Sequence, residues 1–244
     1  IFAMRFLFGK KVPVKITFGQ YDTKIMNRIL SLGFSPFLIL ATDSLILILL
    51  NTILQKYGGK SQGDMFITCA TIAQSYLLLI TSSMIGISGG TQAILSYNYG
   101  ARRADRVKDA ERNILGVMLI FTTIMFLLSR LVPRYFVLLF TSDPQYISFS
   151  VWAIHTYTLM IIPLSFQYVF VDGLTALDRP KTGLALSVTR KSLFVLSAAI
   201  LPVFFDAKAA FFAEPVADGV CSVLSTVVFL LLINRHLQKR CQTV

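Results

Sequence analysis

The chain has 244 residues, of which 55% are hydrophobic, and it carries a formal net charge of +11. Only 14% of its residues are charged, against about a quarter in a soluble domain, so an ordinary water-soluble globule is excluded and a membrane protein is indicated. The positive charge could suggest nucleic acid, but in a membrane protein Lys and Arg collect in cytoplasmic loops, so no nucleic-acid partner is expected.

The chain opens with IFAMRFLFGKK, and residues 1–8 read as the end of a preceding apolar span. Residues 9–28 then form a basic linker. A bilayer core of about 30 Å needs about 20 apolar residues as helix. Six stretches meet this requirement: 29–54, 65–90, 113–132, 147–171, 183–205 and 211–233. No barrel-like alternation is present, and helices are the other way to satisfy a backbone in lipid. The expected fold is therefore an all-α membrane protein, with a six-helix bundle over 29–234 and a tail at 235–244.

Basic residues set the expected orientation. Lys10, Lys11, Lys15, Lys24 and Arg28 precede the first span. Arg102, Arg103, Arg106, Lys108 and Arg112 follow the second. Arg179, Lys181, Arg190 and Lys191 follow the fourth, and Arg235, Lys239 and Arg240 close the chain. They far outnumber Lys56, Lys60, Arg130, Arg134 and Lys208 on the opposite side. The positive-inside rule makes the richer side cytoplasmic, with both ends of the chain inside and the protein multi-pass in the cytoplasmic membrane.

Polar groups within the spans are the functional candidates. Asp43 lies near the middle of the first span, in PFLILATDSLILILLN. A carboxylate there is costly and should face a cavity or a partner, which suits a group that couples proton or ion binding to transport. The alternative is a structural hydrogen bond between helices. Asn51, Gln74, Tyr76, Gln92 and Gln167 are candidates for a substrate cavity. Gly86, Gly89 and Gly90 allow either close helix packing or a flexible point. Pro163 should kink the fourth span.

Glu214 and Asp218 are four apart on one helical face, and Pro215 suits a first helical position. Capping of a helix at the outer surface is the favoured role for this acidic pair. Asp172 and Asp178 are expected near the cytoplasmic end of the fourth span, paired with Arg179, Lys181 or Arg190. His155 reads as a packed polar residue. Cys69, Cys221 and Cys241 show no paired or metal-type spacing and read as free thiols. No zinc spacing, phosphate-binding loop or nucleophile elbow occurs, so neither an enzyme, a cofactor nor a metal is expected.

LGFSPF at 32–37, SYNYGA at 96–101, LFTSDP at 139–144 and AEPVAD at 213–218 together resemble the multidrug and toxic compound extrusion (MATE) family. The likeness is to the carboxy-terminal half of its bacterial multidrug-efflux branch. It implies one six-helix lobe of a twelve-helix transporter, in which two lobes surround a central cavity. It also implies export of small organic cations driven by inward H+ or Na+, with an amino-terminal lobe of the same protein as partner. By position, Asp43 matches the acidic site of the family's seventh helix. The acid of the tenth helix finds only Phe166-Gln167 as its counterpart, leaving Asp43 without a second carboxylate. In LDRPK, Asp178 stands where a Gly is usual.

Three alternatives are a lipid-linked oligosaccharide or metabolite transporter of the same superfamily, a membrane-embedded transferase, and a nonfunctional half-transporter. A flippase should place cations inside the cavity, whereas here they gather at the rim. A transferase needs an acid cluster that is not evident.

Overall fold

The structure is a computed structural model. It describes the backbone of residues 22–242 and their side chains, apart from those of 28–29, 31–41, 43, 60–61 and 234–242. The expected end of a preceding span, most of the basic linker and the side chains of the tail lie outside the described residues. The chain divides into two compact units, 1–47 and 48–244. The described backbone of the first is helical from Thr23 onwards. The following account concerns the second.

All its regular elements are helical among the described residues. In chain order they are α1 (Thr23–Gly100), which begins in the first unit, α2 (Ala104–Leu131), the short α3 (Pro133–Val137), α4 (Pro144–Tyr157) and α5 (Ile161–Ala176). They are followed by α6 (Pro180–Phe204), a 3-10 turn (Ala207–Phe212) and α7 (Ala213–Gln242). The segment Gln62–Gly100, α2, α6 and Ala207–Ile233 are each long and apolar enough to cross a membrane. The pair α4 and α5, bent by 47°, adds a fifth span if counted as one. The expected first span, 29–54, falls largely on residues whose side chains are not described.

Local sequence explains the breaks. α1 leaves helical geometry at Gly59, whose φ is +65°. Its neighbour Gly58 lies so close to Gly63 that an added Cβ would stand 2.8 Å from the Gly63 Cα. Two helical arms can approach this closely only without side chains between them.

Gly100 ends the second arm. Arg102 takes a left-handed φ of +57°, while the Arg102 N–H donates to the Tyr99 carbonyl at 3.1 Å and the Arg103 N–H to that of Asn98 at 3.0 Å. This is a Schellman ending. α5 ends the same way at Asp178, with φ +63°, where the Arg179 N–H reaches the Leu174 carbonyl at 2.9 Å. Asp178 therefore occupies the position that favours Gly. LFTSDP is a helix start: Asp143 accepts from the Gln145 N–H at 2.8 Å, and Pro144 occupies the first turn of α4.

The expected kink at Pro163 is present one turn earlier. The bend falls between α4 and α5, where Pro163 cannot donate to the Leu159 carbonyl and its ring crowds it. Gly86, Gly89 and Gly90, in contrast, lie within unbroken helix, and a Cβ at any of them would meet nothing within 4 Å. The close-packing reading therefore does not hold within this unit.

α5 is the hub, packing against α7, α2 and α6. Phe170 stacks on Phe229 of α7 with centroids 4.4 Å apart. An aromatic cluster of Phe66, Phe149, Trp152, Tyr157 and Phe211 joins α4 and the 3-10 turn to α1. Outward positions such as Ile120, Leu131, Ile200 and Leu231 are exposed, as lipid-facing surface should be.

Candidate functional site

Several charged groups lie on the inner faces of helices of membrane-spanning length. They form two neighbouring clusters on either side of α5.

The first joins α1, α2 and α5. Asp172 accepts a hydrogen bond from the Ser88 hydroxyl and one from the Gln92 side chain. Ser88 also reaches the Tyr168 carbonyl at 3.2 Å. Across from Asp172, Glu111 of α2 is only 5% exposed, and its Oε1 has no hydrogen-bond partner. Gly173 makes room for it, since a Cβ there would fall on the Glu111 carboxylate. Glu111 and Asp172 interact electrostatically. Two like charges this close inside an apolar bundle favour binding of a positive partner between them.

The second cluster joins α6 and α7. The Arg190 Nε donates to Asp218 Oδ1 at 2.7 Å, and its Nη2 donates to Glu214 Oε1 at 2.8 Å. Asp218 is fully buried, and its Oδ2 has no hydrogen-bond partner. Tyr168 of α5 interacts electrostatically with all three residues and with Asp172.

Several expectations change here. Glu214 and Asp218 do not cap a helix at the surface; they hold Arg190. Arg190 itself, expected among the cytoplasmic basic residues, lies inside α6. Asp172 does not pair with Arg179, Lys181 or Arg190 but with Ser88 and Gln92, so α5 does carry a carboxylate within its span, one turn beyond Phe166-Gln167. Glu111, expected in the basic loop, is part of α2's buried face.

The signal for Glu111 and Arg190 was their phase. Glu111 continues the buried α2 series Val107, Ile114, Met118 and Thr122. Arg190 falls midway between Leu186 and Phe194 in the α6 series. A charge in step with a buried stripe points inward.

Of the other candidates, Gln92 joins the first cluster. Gln167 is buried nearby on α5, with Oε1 lacking a partner. Tyr76 is buried edge-on against Phe136 at 5.1 Å. Asn51 and Gln74 are half-buried, with no side-chain hydrogen bond to either cluster. The Asp43 side chain lies outside the described residues. A separate cavity of about 750 Å³ is lined by Gln62, Gln145, Ser148, Phe149, Trp152 and Lys208 among others. It contains none of the cavity candidates and no carboxylate.

Apolar helices of membrane-spanning length that enclose fixed charges define a polytopic membrane protein, and comparison with known proteins specifies it further. The chain belongs to the MatE family, whose model matches residues 40–201. It is 26% identical over 136 residues to an FAD transporter of Shewanella oneidensis, covering 56% of this chain and 29% of that one. It is similar in fold to a multidrug resistance MATE family transporter of the MOP superfamily in its inward-facing conformation. That match has a TM-score of 0.82 at 17% identity, covering all of this chain and 56% of the other. The outward-facing conformation of a multidrug resistance MATE family transporter matches with a TM-score of 0.80 at 17% identity, covering 98% and 53%. A Pyrococcus furiosus transporter of the MOP superfamily, described as having reversed pocket polarity, matches with a TM-score of 0.77 at 18% identity, covering 96% and 53%. The chain thus spans about half the length of these solved relatives. Members of this family are transporters, not enzymes.

Proposed function

We propose that this chain is the carboxy-terminal lobe of a cation-coupled antiporter that exports small organic cations across the cytoplasmic membrane. Inward H+ or Na+ supplies the drive, an amino-terminal lobe completes the cavity, and both ends of the chain are cytoplasmic. The observation that carries the reading is the pair Glu111–Asp172: a buried carboxylate of α2 packed against Gly173 of α5 and interacting electrostatically with its neighbour Asp172, which is half-buried. Such a pair holds a proton or small cation well and releases it when the helices shift. Asp43 is a further coupling candidate from the sequence.

The second reading, a larger anionic cargo, is favoured by the relative named as an FAD transporter. Arg190 is a cation on an inner face of the described spans that could meet such a cargo, but two carboxylates already hold it. The organic cation is therefore preferred.

The test is ethidium efflux from proteoliposomes containing the full-length protein, under a proton or a sodium gradient. Efflux that follows one gradient and is lost in Glu111→Gln or Asp172→Asn supports the reading. Wild-type protein that moves FAD but not ethidium would overturn the choice of cargo. Gradient-independent efflux would overturn the coupling.

A further inference from the structure

We infer that Arg190, Glu214 and Asp218 form a binding site for one monovalent cation, a proton or a sodium-sized ion, distinct from the Glu111–Asp172 pair. The inference rests on the proposed antiport. It adds a second cation site and a count to it.

The charge balance is the starting point. One guanidinium faces two carboxylates, so the fully ionised trio carries one net negative charge. Asp218 is fully buried, and Glu214 and Arg190 expose only 15% and 20% of their side chains. A net charge at this depth is poorly tolerated unless a counter-charge joins it. Neutrality requires one further positive charge and no more.

Geometry says where that charge goes. The Arg190 Nε and Nη2 fix Asp218 Oδ1 and Glu214 Oε1. Asp218 Oδ2 accepts nothing from the protein, although it is wholly buried. A carboxylate oxygen with two lone pairs and no donor is an acceptor waiting for a proton or a cation. The Ser222 hydroxyl, one turn on, donates to the Asp218 carbonyl rather than to this oxygen, and the buried Ser225 hydroxyl beyond it also lacks a partner. These oxygens on one face of α7 are hard ligands of the kind sodium prefers.

The surroundings supply no competing counter-charge. Tyr168 faces the trio from α5, Tyr157 from α4 and Cys221 from α7 itself. All are neutral or acidic. Glu111 of α2 acts on Asp172, and Lys208 of the 3-10 turn sits over the Phe149 ring at 5.8 Å. Among the described residues, Arg190 is the base that acts on the two acids.

The experiment uses the full-length protein in detergent and follows ethidium binding by fluorescence anisotropy across pH, with sodium present or replaced by choline. Each proton exchanged for ethidium contributes about tenfold in Kd per pH unit. Asp218→Asn leaves a neutral Arg–Glu pair, and it should reduce the pH slope by up to about one such decade. If sodium is the ion, it should instead remove part of the sodium dependence. Asp172→Asn should leave this contribution in place. Glu214→Gln, which also leaves one acid with Arg190, is the second variant and should reproduce the loss if Asp218→Asn fails to fold.

A slope and sodium response in both variants equal to wild type, at unchanged thermal stability, would overturn the inference while leaving antiport standing. A wild-type Kd indifferent to both pH and sodium would overturn the antiport reading and this site with it.

Discussion

Arg190 holds two acids that would otherwise repel each other within the bundle. Removing it alone therefore costs more than removing the whole trio. Arg190→Met should destabilise the protein by about 3–5 kcal/mol, read as a lower midpoint in thermal unfolding in detergent. Adding Glu214→Gln and Asp218→Asn to the same chain should recover much of the loss. Gly173→Ala tests the other cluster, since the new methyl must displace the Glu111 carboxylate. Coupled efflux should fall at least tenfold, with a stability cost of about 1–3 kcal/mol.

Arg102 and Asp178 present the opposite case, because each holds a left-handed backbone that a Cβ disfavours. Arg102→Gly should therefore raise stability by about 1 kcal/mol. These turns were half legible in the sequence. Asp178 stood out where Gly is usual, but only the backbone shows that the turn is kept despite the substitution.

At the scale of elements, spans could be read from composition because apolar runs need no partner to declare themselves. The runs 113–132, 183–205 and 211–233 correspond to α2, α6 and the membrane segment of α7, although each helix extends beyond its apolar stretch. Those extensions misled the placement of Glu111, which a hydropathy window assigns to a loop. Arg190 was misplaced for a related reason: next to Lys191, it looked like part of a basic rim. What a window averages away, helical phase preserves.

The pairing of α6 with α7 depends on three-dimensional neighbours, and nothing local in the sequence announces that Arg190 meets residues 24 and 28 positions later. The helix break before Pro163 was legible from one residue. Pro163→Ala restores a donor opposite Leu159, and it should reduce the 47° bend and lower the transport rate. Spin-label distances across α4 and α5, compared with wild type, would report the straightening.

For the whole molecule, the proposed antiport puts the functional surface within the lobe and not at its basic rim. The sequence indicates cations at the rim, and Arg102, Arg103 and Arg179 do lie in the connections, with Arg106, Lys108 and Lys181 in the adjoining helix ends. Arg190 is the departure, and its two acidic partners keep it from acting as a bare anion receptor. Exchanging Arg190 for Lys should keep the charge but lose the two-pronged hydrogen bonding. Cation-coupled efflux should weaken while FAD transport stays absent in proteoliposomes. Appearance of FAD transport in that variant would show that the guanidinium grip, and not the net charge, selects the cargo.

The second arm of α1 has a mechanical consequence. Its membrane-crossing segment, Gln62–Gly100, has 39 residues, about 58 Å of helix at 1.5 Å per residue. That is nearly twice the apolar thickness of a bilayer, about 30 Å. The segment is an unbroken rod held along its length, by Phe66 in the aromatic cluster, Tyr76 against Phe136, Ser88 on Asp172 and Ser96 on the Ala176 carbonyl. The three glycines between Ile85 and Thr91 lie beside Ser88. Under the proposed antiport, a change at the Asp172 carboxylate acts on this rod through Ser88, about 18 Å of helix from the Gly100 end.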